Sequence, residues 1–145
     1  MNGIVVGVDG SPNSERALSW AMSEAAKLHA PLTVLAVSEA MKSYWTGNPD
    51  PYAMDSGKLD RTREAAEELT QKVASGLGDA QPTSVNVHVV YGFPARELVE
   101  ASHGADLVVV GSRGGGGFTR LMLGSVSSQV VEHAACPVVV VPHDK

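Results

Sequence analysis

Five short apolar runs, separated by longer stretches of helical periodicity, constrain this chain more than any other feature. They cover residues 4–8, 32–37, 85–90, 107–110 and 137–141, and valine dominates them. β-Branched residues favour extended backbone. Apart from 85–90, which alternates, and Thr33, they are apolar, as strands covered on both faces are. Between them the period changes. After Ser11 and Pro12, which suit an N-cap and a first helical turn, Leu18, Ala21, Met22, Ala25 and Leu28 make one helical face that should stop before Pro31. Leu59, Ala66, Leu69, Val73 and Leu77 do the same over about 57–76, and Glu64, Glu67 and Glu68 fall on its solvated side. Pro94 opens a short helix to about residue 103 with Leu98 and Val99 facing inward, and a last helix follows Ser125 with Val126, Val130, Val131 and Ala134 as its core side. Strands alternating with helices require parallel pairing, right-handed crossovers and helices on both faces of an open sheet. The expected fold is therefore an α/β parallel sheet of five strands in a single domain spanning 1–145. Such sheets bind ligands at the carboxyl ends of their strands, where strand order reverses.

One stretch, 111–125, is built for that end of a sheet. It reads Gly-Ser-Arg-Gly-Gly-Gly-Gly-Phe-Thr-Arg-Leu-Met-Leu-Gly-Ser, with an apolar run before it and a helical segment after it. Strand, glycine-rich loop and helix N-terminus in that order present unpaired N–H groups to which a phosphate can bind. Ser125 is a good N-cap type, or can offer its hydroxyl to a phosphate or metal. The alternative reading of the glycines is a hinge without a ligand.

The spacing narrows the choice. Two residues separate Gly111 from Gly114, nine separate Gly114 from Gly124, and Ser125 follows. In this the chain resembles the universal stress protein family, whose ATP-binding members carry the same pattern. The resemblance extends over essentially the whole chain. It implies a Rossmann-like sheet in the order 3-2-1-4-5, related to the adenine nucleotide alpha hydrolases, with a switch point that brings Asp9 beside Gly111. It further implies that Asp9 lies near the ribose and phosphates, directly or through a metal ion. The residues alone allow a second role for Asp9, capping the turn to Ser11. By the same resemblance Val37 meets adenine through its backbone. Gly111 and Gly114 line the ribose and first phosphate, and Gly124, Ser125, Val126 and Ser127 hold the outer phosphates. Arg113 and Arg120 can add positive charge or stay solvated. The implied ligand is ATP with magnesium. The implied role is regulatory, in a stress response.

Other chemistries find little support. A net charge of −5 with no basic run argues against nucleic acid and anionic membranes as partners. No apolar run approaches a membrane span, and the first residues lack the features of a signal peptide. The single Cys136 cannot form an internal disulfide, so a reducing, cytoplasmic setting is expected. There is no Gly-x-x-x-x-Gly-Lys-[Ser/Thr], no Gly-x-Gly-x-x-Gly after a strand and no Gly-x-Ser-x-Gly. The five histidines show no zinc spacing. Without a phosphate-binding lysine in a known motif, the chain is not expected to be an enzyme beyond very slow ATP hydrolysis. A ligand-free interaction module, a slow ATP hydrolase and a cyclic-nucleotide binder are the alternatives. The loop 38–56 carries Tyr44, Trp45 and Tyr52, which either cover a flat ligand or pack the loop onto the domain or a partner chain. Finally, Val138, Val139, Val140 and Val141 would form an unprotected sheet edge, on which a homodimer can be built and which Val139→Pro should disrupt.

Overall fold

The computed structural model describes residues 3–112 and 123–142. In chain order the elements are β1 (Ile4–Val8), α1 (Pro12–Leu28), β2 (Leu32–Glu39), α2 (Ser56–Ser75), β3 (Val85–Gly92), α3 (Pro94–Ser102), β4 (Leu107–Gly111), α4 (Ser125–His133) and β5 (Val138–Val141), with a 3-10 turn at Pro51–Ala53. The strands form one five-stranded sheet in the order β3-β2-β1-β4-β5. Every adjacent pair is parallel.

Each face of the sheet carries its own apolar layer. Ile4, Val6, Val8, Leu32, Val34 and Val109 pack with Leu18, Ala21 and Met22 of α1 and Ala66 of α2. Val5, Leu35, Val108 and Val110 pack with Leu98 of α3 and Val130 of α4 on the other. Strand side chains point alternately to the two faces, so an unbroken valine run serves both layers at once. Burying each Leu or Met side chain contributes about 1.5–3 kcal/mol.

The element ends are set by local chemistry. Ser11 caps α1, its side chain accepting from the Ser14 N–H at 3.2 Å. His29, at φ 53 and ψ 45, closes that helix in the left-handed region, and both its own N–H and that of Ala30 bond back into the last turn. Chain reversal at His29 leaves Leu28 exposed rather than on the core face expected for it. Asp55 caps α2, accepting from Gly57 and Lys58. β2 and β3 run two residues past their apolar runs, because Ser38 pairs with Tyr91 and Glu39 with Gly92. On α4 the buried stripe is Ser127 and Val130. Buried Ser127 takes the place expected for Val131, which is exposed.

Pro137 and Val141 both turn their carbonyls to β4, accepting from Val108 and Ser112. With the period of two along a strand, Val139 faces β4 as well, and the outward N–H and C=O groups of this edge belong to Val138 and Val140. Val139→Pro would therefore cut the sheet's own ladder. Val140→Pro is the substitution that touches only the free edge.

Candidate functional site

The order reverses at β1, whose neighbours β2 and β4 lead into connections on opposite sides. Above the carboxyl ends of these three strands lies an open cavity of about 880 Å³. Small-molecule sites occupy roughly 300–1,000 Å³. Asp9, Val37, Gly111, Gly124, Ser125, Val126 and Ser127 all line it. Arg113 and Gly114, like Arg120, lie outside the described residues.

The β1–α1 connection forms one wall. Asp9 is exposed, and its carboxylate accepts the Ser11 N–H at 2.9 Å, so it does cap the turn while also facing the cavity. Gly10 sits at φ +84, a region open to glycine and strained for other residues. The Asp9 N–H is 3.3 Å from the Ser14 hydroxyl, which itself donates to the Ser11 carbonyl at 2.9 Å. This small network holds the turn against the first turn of α1.

Gly111 ends β4 on the facing side. A Cβ there would lie 2.6 Å from Asn13 Nδ2 and 3.0 Å from Asn13 Cγ. Glycine is needed here because buried Asn13 packs against this backbone, a packing reason rather than a ligand one. The Ser112 carbonyl then accepts from the Gly124 N–H at 2.6 Å and from the Ser127 hydroxyl at 2.7 Å. These two bonds bring the start of α4 back to the end of β4. They also commit the Ser127 hydroxyl hydrogen, so that side chain is a brace rather than the phosphate donor expected of it.

α4 begins with Gly124 as its N-cap, at φ −73 and ψ 171, and no side-chain cap bond. Ser125 is thus the first helical residue, not the cap. Its exposed hydroxyl has no hydrogen-bond partner among the described residues. The first bond within the helix runs from Ser128 N–H to Gly124. The N–H groups of Ser125, Val126 and Ser127 precede it and find no acceptor within the helix. Three amides at the positive end of a helix dipole, on the wall of a cavity, suit an anion.

The third wall comes from α2, on which no site residue was expected. Lys58, Arg61, Thr62, Ala65 and Leu69 face the cavity at helical spacing. Their signal was present: the apolar stripe of Ala66, Leu69 and Val73, extended toward the helix start, leads to Thr62 and Lys58. Tyr44, Trp45 and Tyr52, by contrast, do not line the cavity and are 91%, 88% and 96% exposed. Their loop is held instead by the Tyr91 hydroxyl, which donates to the Asp50 carbonyl at 2.7 Å, and by a bridge between Lys42 and Pro49. No group of three or more His, Cys, Asp or Glu gathers as a metal site among the described residues. No helix among them is long and apolar enough to cross a membrane.

Residues 1–142 match the model of the universal stress protein family. The chain belongs to this family. It is 37% identical over 143 residues to a universal stress protein of Mycobacterium tuberculosis, covering 99% of this chain but 48% of that one. A relative from Mycolicibacterium smegmatis gives 37% identity over 98% of this chain and again 48% of its own length. The chain thus spans about half the length of these relatives. Among solved structures, the universal stress protein UspA from Lactobacillus plantarum superposes with a TM-score of 0.74 at 25% identity, covering 97% of each chain. A universal stress protein solved in complex with cAMP gives 0.65 at 28% identity, covering 96% of this chain and 94% of the other. The parallel sheet and its strand order are therefore those of the family.

Proposed function

We propose that this universal stress protein domain binds an adenine nucleotide, ATP with magnesium, at the carboxyl ends of β1, β2 and β4, in a regulatory rather than catalytic role. The observation that carries the reading is the start of α4, where three N–H groups without helix acceptors face a cavity of about 880 Å³ at the switch point. The related structure with cAMP supports the ligand class. The Gly111, Gly114, Gly124 and Ser125 spacing supports a phosphate chain over a lone nucleoside.

The residues fit such a ligand. The amides of Ser125, Val126 and Ser127 supply hydrogen bonds for phosphate oxygens, and the Ser125 hydroxyl supplies one more. Val37, two residues before the end of β2, lines the cavity and is the backbone proposed to meet the base. Magnesium is commonly held by one or two carboxylates together with substrate phosphates, which Asp9 can provide as a single protein ligand. Bound magnesium would screen phosphate charge. For phosphoryl transfer a nucleophile must be positioned and cations must meet the developing charge. Asp9 is engaged with the Ser11 N–H. Turnover well below the roughly 1–100 per second of kinases is expected. A phosphate-release assay in that kinase range, lost in Asp9→Ala, would reverse the regulatory reading. The cellular setting proposed is the cytoplasm. A homodimer through the free edge of β5 is proposed on the outward groups of Val138 and Val140.

The binding reading can be tested with one substitution. Ser125→Pro removes one amide and the hydroxyl yet suits the first position of a helix. Gly124 already has the extended backbone that a residue before proline requires. Losing one or two such contacts should lower MgATP affinity about ten-fold or more in calorimetric titration, with thermal unfolding little changed. Equal affinity in the two proteins would contradict the assignment.

A further inference from the structure

The α2 wall has no part in the anion site built from α4 and the β1–α1 turn. Lys58 and Arg61 stand one turn apart near its start, on the stripe that faces the cavity. Both are exposed, and neither has an ion pair or side-chain hydrogen bond with another described residue. Lys72, the other cation of this wall, differs: its ammonium is 2.8 Å from Glu15 of α1. The wall also carries Glu68, about two turns beyond Arg61, and Asp9 and Glu39 face the same space from the strand ends. The first turns of α2 therefore present two cations without an ionic partner among the described residues, in a protein of net charge −5.

We infer that Lys58 and Arg61 are charge-selecting residues of the site, which favour a highly anionic nucleotide over a nucleoside in the same cavity. The inference rests on the nucleotide reading above and adds a wall to it. Long cationic side chains on a helix can reach into a cavity while their stems lie along apolar surface, and this cavity's α2 wall is lined further along by Ala65 and Leu69. Their attraction grows with ligand charge and weakens with salt, because these groups are partly solvated. Uniform contacts with base or ribose would instead act equally on ATP and adenosine.

The test compares ATP and adenosine on three proteins: wild type, Lys58→Gln with Arg61→Gln, and Lys27→Gln with Arg63→Gln. The last pair removes the same charge from helix positions outside the cavity lining. Circular dichroism checks that all three are folded. At low ionic strength, ATP affinity should fall about five-fold to ten-fold in the first variant, adenosine affinity by less than about two-fold, and the control should match wild type. Added salt should narrow the difference between wild type and variant. Equal losses for ATP and adenosine, or an equal loss in the control, would overturn the inference while leaving nucleotide binding intact. A wild type that binds neither compound would overturn both readings.

Discussion

Two glycines of one motif answer to different physics. A Cβ on Gly111 would lie 2.6 Å from Asn13 Nδ2, so Gly111→Ala should cost about 1–3 kcal/mol by overpacking. Gly124 has an ordinary φ of −73, so Gly124→Ala should cost under about 1 kcal/mol as an altered N-cap. Urea unfolding midpoints of the two variants measure this difference, and equal midpoints would contradict it. The spacing of the motif was readable from the sequence. The reason for each glycine was not, because Asn13 and Gly111 meet only through the fold. Ser127 teaches the same: its hydroxyl looked free for phosphate until the Ser112 carbonyl came within 2.7 Å. Cys136 makes a separate case. Burial pushes its thiol above its ordinary value, a backbone hydrogen bond at Val108 opposes this, and the Asp106 charge adds to it. A raised folded-state value favours the protonated form, so the thiol's contribution to stability is full below its unfolded value. It is lost as pH rises through the folded one. Iodoacetamide should modify Cys136 more slowly in folded than in urea-unfolded protein at neutral pH, with the gap closing in alkali. Equal rates near neutrality would contradict that.

At the scale of elements, the strands were the most legible part, because valine runs that serve two faces look alike wherever they occur. β1 and β5 agree with their apolar runs to within a residue. β2 and β3 were read short, since polar Ser38 and Tyr91 continue a ladder that hydropathy alone does not mark. On α2 the sequence assigns no role to the cations near its start, and only packing against the sheet turns that stripe toward the cavity. The edge strand carries its own prediction. Val138 and Val140 turn their N–H and C=O groups away from β4, and nothing charged lies between Val138 and Val141. Such an edge invites antiparallel pairing with a second copy about a two-fold axis. Light scattering at micromolar concentration should give twice the 15.1 kDa chain mass for wild type. Val140→Pro should give the single mass with its circular dichroism unchanged. A wild type of single mass at every concentration would exclude the dimer.

At the scale of the molecule, the five-stranded order places the β1–α1 turn, the end of β2 and the start of α4 around one opening, although they are far apart in the chain. The alternation of strand and helix made the sheet legible, and the glycine spacing carried the order through the resemblance to universal stress proteins. Relatives of twice this length show that such a domain also occurs within longer chains. The central claim is that the opening holds an adenine nucleotide. Its most direct test is mass spectrometry of the small molecules released when freshly purified protein is heat-denatured. Wild type should release ATP, or ADP from its slow loss of a phosphate, in an amount that falls sharply in Ser125→Pro. Protein that releases no adenine nucleotide, and takes up none after incubation with MgATP, would contradict it.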